Sequence, residues 1–150
     1  MAEAEQAPPD RGRGNGSQGP TLRRWWALVA AIGAAGLVLR VAYVLLVARN
    51  IELGADATWY LLVAGSIREG LGFVDPETLF TTGETVATAN FPPLYPAFLA
   101  AVQAVFGTSE TVSQLAGAFV GTSTVVLTAL LARRLAGDRA GLIAAALVAV

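Results

Sequence analysis

"WWALVAAIGAAGLVLRVAYVLLVA", residues 25–48, decides the fold class, because it carries one charge, Arg40, in an otherwise apolar run. At about 1.5 Å per residue a helix of this length measures about 36 Å, enough to cross a bilayer. A secretory signal peptide would have an apolar core of only about 7–15 residues, so an uncleaved anchor is expected. Trp25 and Trp26 suit the membrane interface. Arg23 and Arg24 precede the run, with Arg11 and Arg13 further back. That cluster predicts a cytoplasmic N-terminus and an outward exit near Arg49.

The rest of the composition agrees. The chain has 150 residues, of which 55% are hydrophobic and 14% charged, whereas soluble domains carry about 25% charge. A net charge of −1 gives no sign of a nucleic-acid partner. Without Cys or His, disulfides, thiol chemistry and the commonest zinc ligands are excluded. All ten basic residues are Arg.

Residues 1–22 are rich in Pro, Gly and Gln ("PPDRGRGNGSQGP") and read as a disordered cytoplasmic tail. Residues 23–150 read as one membrane domain, with an outer loop over about 49–110. That loop holds Glu52, Asp56, Glu69, Asp75, Glu77 and Glu84 against Arg49 and Arg68. Within it, Trp59, Leu62, Val63 and Ile67 recur at helical spacing, so a short interfacial helix is expected over 56–69. "EGLGF" should end it. "NFPPLYPAFLAAVQAVFG", residues 90–107, opens on turn signals and continues as an apolar helix over 93–106, too short for an ordinary span. A longer apolar run covers 111–136. Arg133 and Arg134 near its end predict that a span over 111–134 runs inward, which leaves 93–106 interfacial or re-entrant; if 93–106 crosses instead, the "ARRLAGDR" turn falls outside, against the positive-inside pattern. Residues 140–150 read as the start of another outward span, so a longer chain is expected.

Four features could carry chemistry. Asp56 sits at a helix start, where a carboxylate caps or stabilises free backbone N–H groups. The same group, held beside a membrane cavity, could take a proton from a hydroxyl as general base. Trp59 and Tyr60 follow at i+3 and i+4 and can share its face. Arg40 lies about 12 Å from the outer end of its helix. It either snorkels or meets a phosphate or carboxylate, with Tyr43 at i+3 beside it. "FPPLYP" marks a helix start and offers Tyr95 to a cavity. Gly117 and Gly121 suit close helix packing.

The ordered set is more specific than its members: an anchor with Arg40 near its outer end, then Asp56 and Tyr60, "EGLGF", "PPLYPAFLA" and "LLARRLAGDRAGLIAAAL". Across residues 22–150 this resembles the start of the polytopic GT-C membrane glycosyltransferases, in the group of bacterial protein-O-mannosyltransferases and aminoarabinose transferases, which includes rhizobial lipopolysaccharide-glycosyltransferase-like proteins. The resemblance implies an all-α polytopic bundle with juxtamembrane helices in the first outer loop. It implies transfer of a sugar from a polyprenyl-phosphate carrier to a lipid, glycan or protein acceptor at the outer face. Asp56 would be the general base and polyprenyl phosphate the leaving group, with inversion at the anomeric carbon. Arg40, Arg49, Tyr43, Tyr60 and Tyr95 would contact substrate.

Two departures matter. Relatives often have Asp-Glu where this chain has Asp56-Ala57, which weakens a metal-assisted scheme, although a divalent metal stays open. They also often have Lys or His before the Pro pair, where this chain has Phe91. Two other classes compete: a transporter or flippase subunit with Asp56 in its path, and a non-catalytic membrane fragment.

Overall fold

The structure is a computed structural model that describes residues 22–150. The stretch 1–21, with Arg11 and Arg13 of the expected tail, lies outside the described residues, as does the side chain of Arg49. The elements are α1 (Leu22–Leu46), a 3-10 turn (Ala48–Asn50), α2 (Ala55–Arg68), α3 (Pro76–Thr82), α4 (Leu94–Phe106) and α5 (Glu110–Ala149). Among the described residues the chain is all-α, with two apolar helices, α1 and α5, long enough to cross a membrane.

α5 is not one rod. Gly137 has φ 87° and ψ 179°, which breaks the helix between 110–136 and 138–149. Along a straight helix, residues 129 and 141 would stand about 18 Å apart. Here a Cβ on Gly141 would fall 2.8 Å from the Ala129 carbonyl oxygen, so the second arm doubles back on the first. A side chain at 137 is strained in this backbone region. Gly137→Val should therefore cost about 1–3 kcal/mol, read as a lowered thermal unfolding midpoint in detergent.

α1 packs against both arms. The shared core is Trp25, Val29, Val125, Ala129, Ala145 and Ala149. Its small residues let the backbones approach closely, which is how apolar helices associate where lipid removes the hydrophobic drive. Trp25 differs from the interfacial role expected of it. It is 0% exposed, while Trp26 is 42% exposed. Its indole Nε1 donates to the Asp138 carbonyl at 3.0 Å, and the Arg133 guanidinium lies 4.3 Å above its ring. Arg133 also pairs with Asp138 at 2.6 Å. The RRLAGDR turn is thus fastened beside the N-terminal end of α1. With its polar edge satisfied and its ring covered, Trp25 can sit in the core.

The loop side is built on α4. Its 13 residues make a helix of about 20 Å, short of a bilayer. It runs antiparallel to the first turns of α5, with Gln103 Nε2 donating to Ser113 Oγ at 3.3 Å. α2 lies on α4 through Ala64, Leu99 and Ala100, with Tyr60, Leu61 and Phe98 at the margin. α3 was not expected. Asp75 caps it by accepting from the Thr78 N–H at 2.8 Å, and Pro76 occupies its first turn. An isolated bridge between Val74 and Ala87 closes the loop around it.

Candidate functional site

Two hollows meet at the end of the bundle opposite the Trp25 latch. The first is a cavity of about 220 Å³ between α2, α4 and the start of α5, lined by Ala57, Tyr60, Tyr95, Glu110, Ser113 and Gln114 among others. The second is a cleft of about 560 Å³ between α1 and α5, lined by Arg40, Tyr43, Gln114, Gly117 and Ala149 among others. Gln114 belongs to both walls.

The cavity owes its shape to aromatic packing. Tyr60 and Tyr95 meet edge to face, ring centroids 5.2 Å apart. Phe91 stands 5.3 Å from Tyr60 and 4.7 Å from Trp59. Phe91 therefore packs behind Tyr60, against Trp59 and outside the cavity lining. Burial pushes the Tyr95 phenol above the usual tyrosine range, and neighbouring Tyr60 adds to this, so Tyr95 stays a neutral hydroxyl.

Arg40 does not snorkel. Its Nη1 donates to the carbonyls of Gly36 at 3.1 Å and Ala149 at 2.8 Å, and its Nη2 to that of Val148 at 2.9 Å. These carbonyls pair the guanidinium inside the bundle, where an unpaired charge would be costly. Its Nε side lies over Gly121, where a Cβ would come within 3.1 Å. Tyr43, 55% exposed, shares the cleft with it.

Asp56 occupies the first turn of α2, and Gly54, one residue before the helix, is its N-cap. Asp56 is thus a first-turn acid rather than the cap. It is exposed and makes no hydrogen bond or ion pair among the described residues. It does not line either hollow, although Ala57 and Tyr60 of the same helix line the cavity. The sequence-based candidates therefore fall into two groups: Tyr60 with Tyr95 at the cavity, and Arg40 with Tyr43 at the cleft. Asp56 stands beside the first group on α2. Among the described residues no three Asp, Glu, His or Cys side chains gather as a metal site.

Gln114 was not anticipated. It is the residue common to both hollows, and its Oε1 is buried without a hydrogen-bond partner. A lone amide in the apolar run "TVSQLAGAFVG" was the available signal, since polar side chains in such helices need a reason to be there.

An all-α, membrane-type helical assembly with adjoining polar and aromatic hollows at one end is the class that this geometry defines. Residues 90–150 match the model of the dolichyl-phosphate-mannose-protein mannosyltransferase family. The match begins at the residues that lead into α4 and includes Tyr95, Gln114 and all of α5, but not Arg40 or Asp56. No curated protein and no solved structure matches the chain significantly.

Proposed function

We propose that the protein is a glycosyltransferase that moves a sugar from a polyprenyl-phosphate carrier to a hydroxyl of a lipid, glycan or protein acceptor, at the outer face of the cell membrane. The observation that carries this reading is the family match over 90–150, which falls on the helices that wall both hollows. Two membrane-length helices support it. Asp56 is the base: it takes the acceptor hydroxyl proton as that oxygen bonds to the anomeric carbon. The bond from that carbon to the phosphate oxygen breaks, and polyprenyl phosphate leaves with the electron pair. An exposed, unengaged carboxylate at a helix N-terminus is free to approach an incoming hydroxyl. Tyr60 and Tyr95 face the sugar. Arg40 and Tyr43, with Arg49, serve the carrier phosphate side, and the N-terminus lies in the cytoplasm.

The test is transfer of labelled sugar from polyprenyl-phosphate donors by the full-length protein in nanodiscs. Label appearing in an acceptor supports the reading. Label carried across a vesicle membrane with no new glycosidic bond would instead establish a flippase. Arg40 gives a sharper check. Arg40→Gln should raise the donor KM about tenfold, the scale of one lost charge-assisted hydrogen bond. A lower unfolding midpoint with an unchanged KM would confine Arg40 to holding helices together.

A further inference from the structure

The acids of the described chain are sorted to one end of the bundle. All except Asp138 lie within 52–110, on the loop side. At the other end the Trp25 latch ties the start of α1 to the Gly137 turn, and Arg23, Arg24, Arg133, Arg134 and Arg139 gather there. Asp138 is taken by Arg133, and Arg139 is also engaged within the protein. Arg23, Arg24 and Arg134 are exposed and have no hydrogen bond or ion pair among the described residues. Trp25 lies under Arg133. Arg24 and Arg134 each begin only about 3.8 Å along the chain from one member of that pair.

Exposed apolar side chains stand among these cations. Leu22 is 59% exposed, Trp26 42% and Leu135 76%. Trp26 is braced edge-on against Trp25, ring centroids 5.1 Å apart. Its indole N–H has no acceptor among the described residues. This mixture selects among occupants. A soluble anion would pair the guanidinium groups and leave Leu22 and Leu135 in water. An acyl chain alone would cover the leucines and leave three cations unpaired. A phospholipid with an anionic headgroup satisfies both, since guanidinium forks match phosphate oxygens and the chains cover the apolar side chains.

We propose that this end of the bundle binds the headgroup of an anionic phospholipid, with Arg24 and Arg134 on its phosphate and Trp26 at the boundary between headgroup and chain. Such a lipid bridges α1 and the Gly137 turn and so braces the latch. The surface lies away from both hollows and does not depend on the reaction performed there. Arginines that served only to orient the protein would show no preference among lipids once it is in the membrane.

Native mass spectrometry of the full-length protein in neutral detergent, titrated with phosphatidylglycerol or phosphatidylcholine, tests this. Phosphatidylglycerol is expected to bind about tenfold more tightly or better. Arg24→Gln combined with Arg134→Gln should weaken it by about tenfold or more, at about fivefold for each basic side chain near an anionic lipid surface. Both side chains are exposed and unpartnered, so the unfolding midpoint of this double variant without added lipid should match wild type. Added phosphatidylglycerol should raise only the wild-type midpoint. Arg68→Gln, on the loop side, should bind as wild type does. Equal affinity for the two lipids overturns the proposal, as does a preference kept in the double variant or lost equally in Arg68→Gln. Displacement of the lipid by millimolar inorganic phosphate would make this a site for a soluble anion and overturn the lipid assignment.

Discussion

Asp56→Asn is expected to lower the turnover of sugar transfer by about 10²–10⁴-fold, the usual contribution of a general base. The substitution keeps size and polarity and removes only the ability to take a proton. The donor KM should stay within about twofold, because the loss falls on the transition state rather than on ground-state binding. Stability should barely change, since the Asp56 side chain has no partner to lose among the described residues. The remaining cost is its interaction with the N-terminus of α2, about 0.3–1 kcal/mol. Glu77→Gln, an exposed change in the first turn of α3, serves as the control and should leave activity intact. Asp56→Asn retaining turnover close to wild type would remove Asp56 from the chemistry.

The features readable from sequence were those set by local periodicity and punctuation. A run of apolar residues with one charge is a long helix wherever it sits, so α1 could be read directly. The same holds for α2, where apolar spacing and "EGLGF" mark its body and end, and for α4 after "PPLYP". α3 should have been readable too. Asp75 as cap, Pro76 in the first turn and Glu77 behind it are ordinary start signals, but the helix is only seven residues long and has no apolar period to draw notice. The roles of Trp25 and Arg40 could not be read, because both depend on the second arm of α5 folding back. Trp25 needs the Asp138 carbonyl, and Arg40 needs those of Val148 and Ala149. Those partners are more than a hundred residues away. Gln114 was hidden for the same reason, since its two hollows are made by α1, α2 and α4 converging on it.

Gly141→Leu is expected to be the most damaging substitution for the fold. A single Cβ at this position would lie 2.8 Å from the Ala129 carbonyl oxygen, 3.0 Å from Arg133 Cβ and 3.0 Å from Trp25 Cζ2. The nearest of these is backbone, which cannot swing aside as a flexible side chain would. The rest of a Leu side chain has nowhere to go unless the two arms of α5 part. Parting them draws Asp138 from Arg133 and from the Trp25 indole, and opens the core of Trp25, Val125, Ala129 and Ala145. Overpacking of this kind costs about 3 kcal/mol or more. Gly65→Ala makes the contrast. A Cβ on Gly65 meets nothing within 4 Å, and in a helix interior Ala is favoured over Gly by about 0.5–1 kcal/mol. Thermal unfolding followed by tryptophan fluorescence should rank Gly65→Ala at or above wild type and Gly141→Leu far below it. Equal midpoints for the two variants would mean that the arms of α5 do not lie against each other at Gly141. In that case the contacts of Trp25 and Arg40 with the second arm would fall together with it, because both need 138–149 alongside α1.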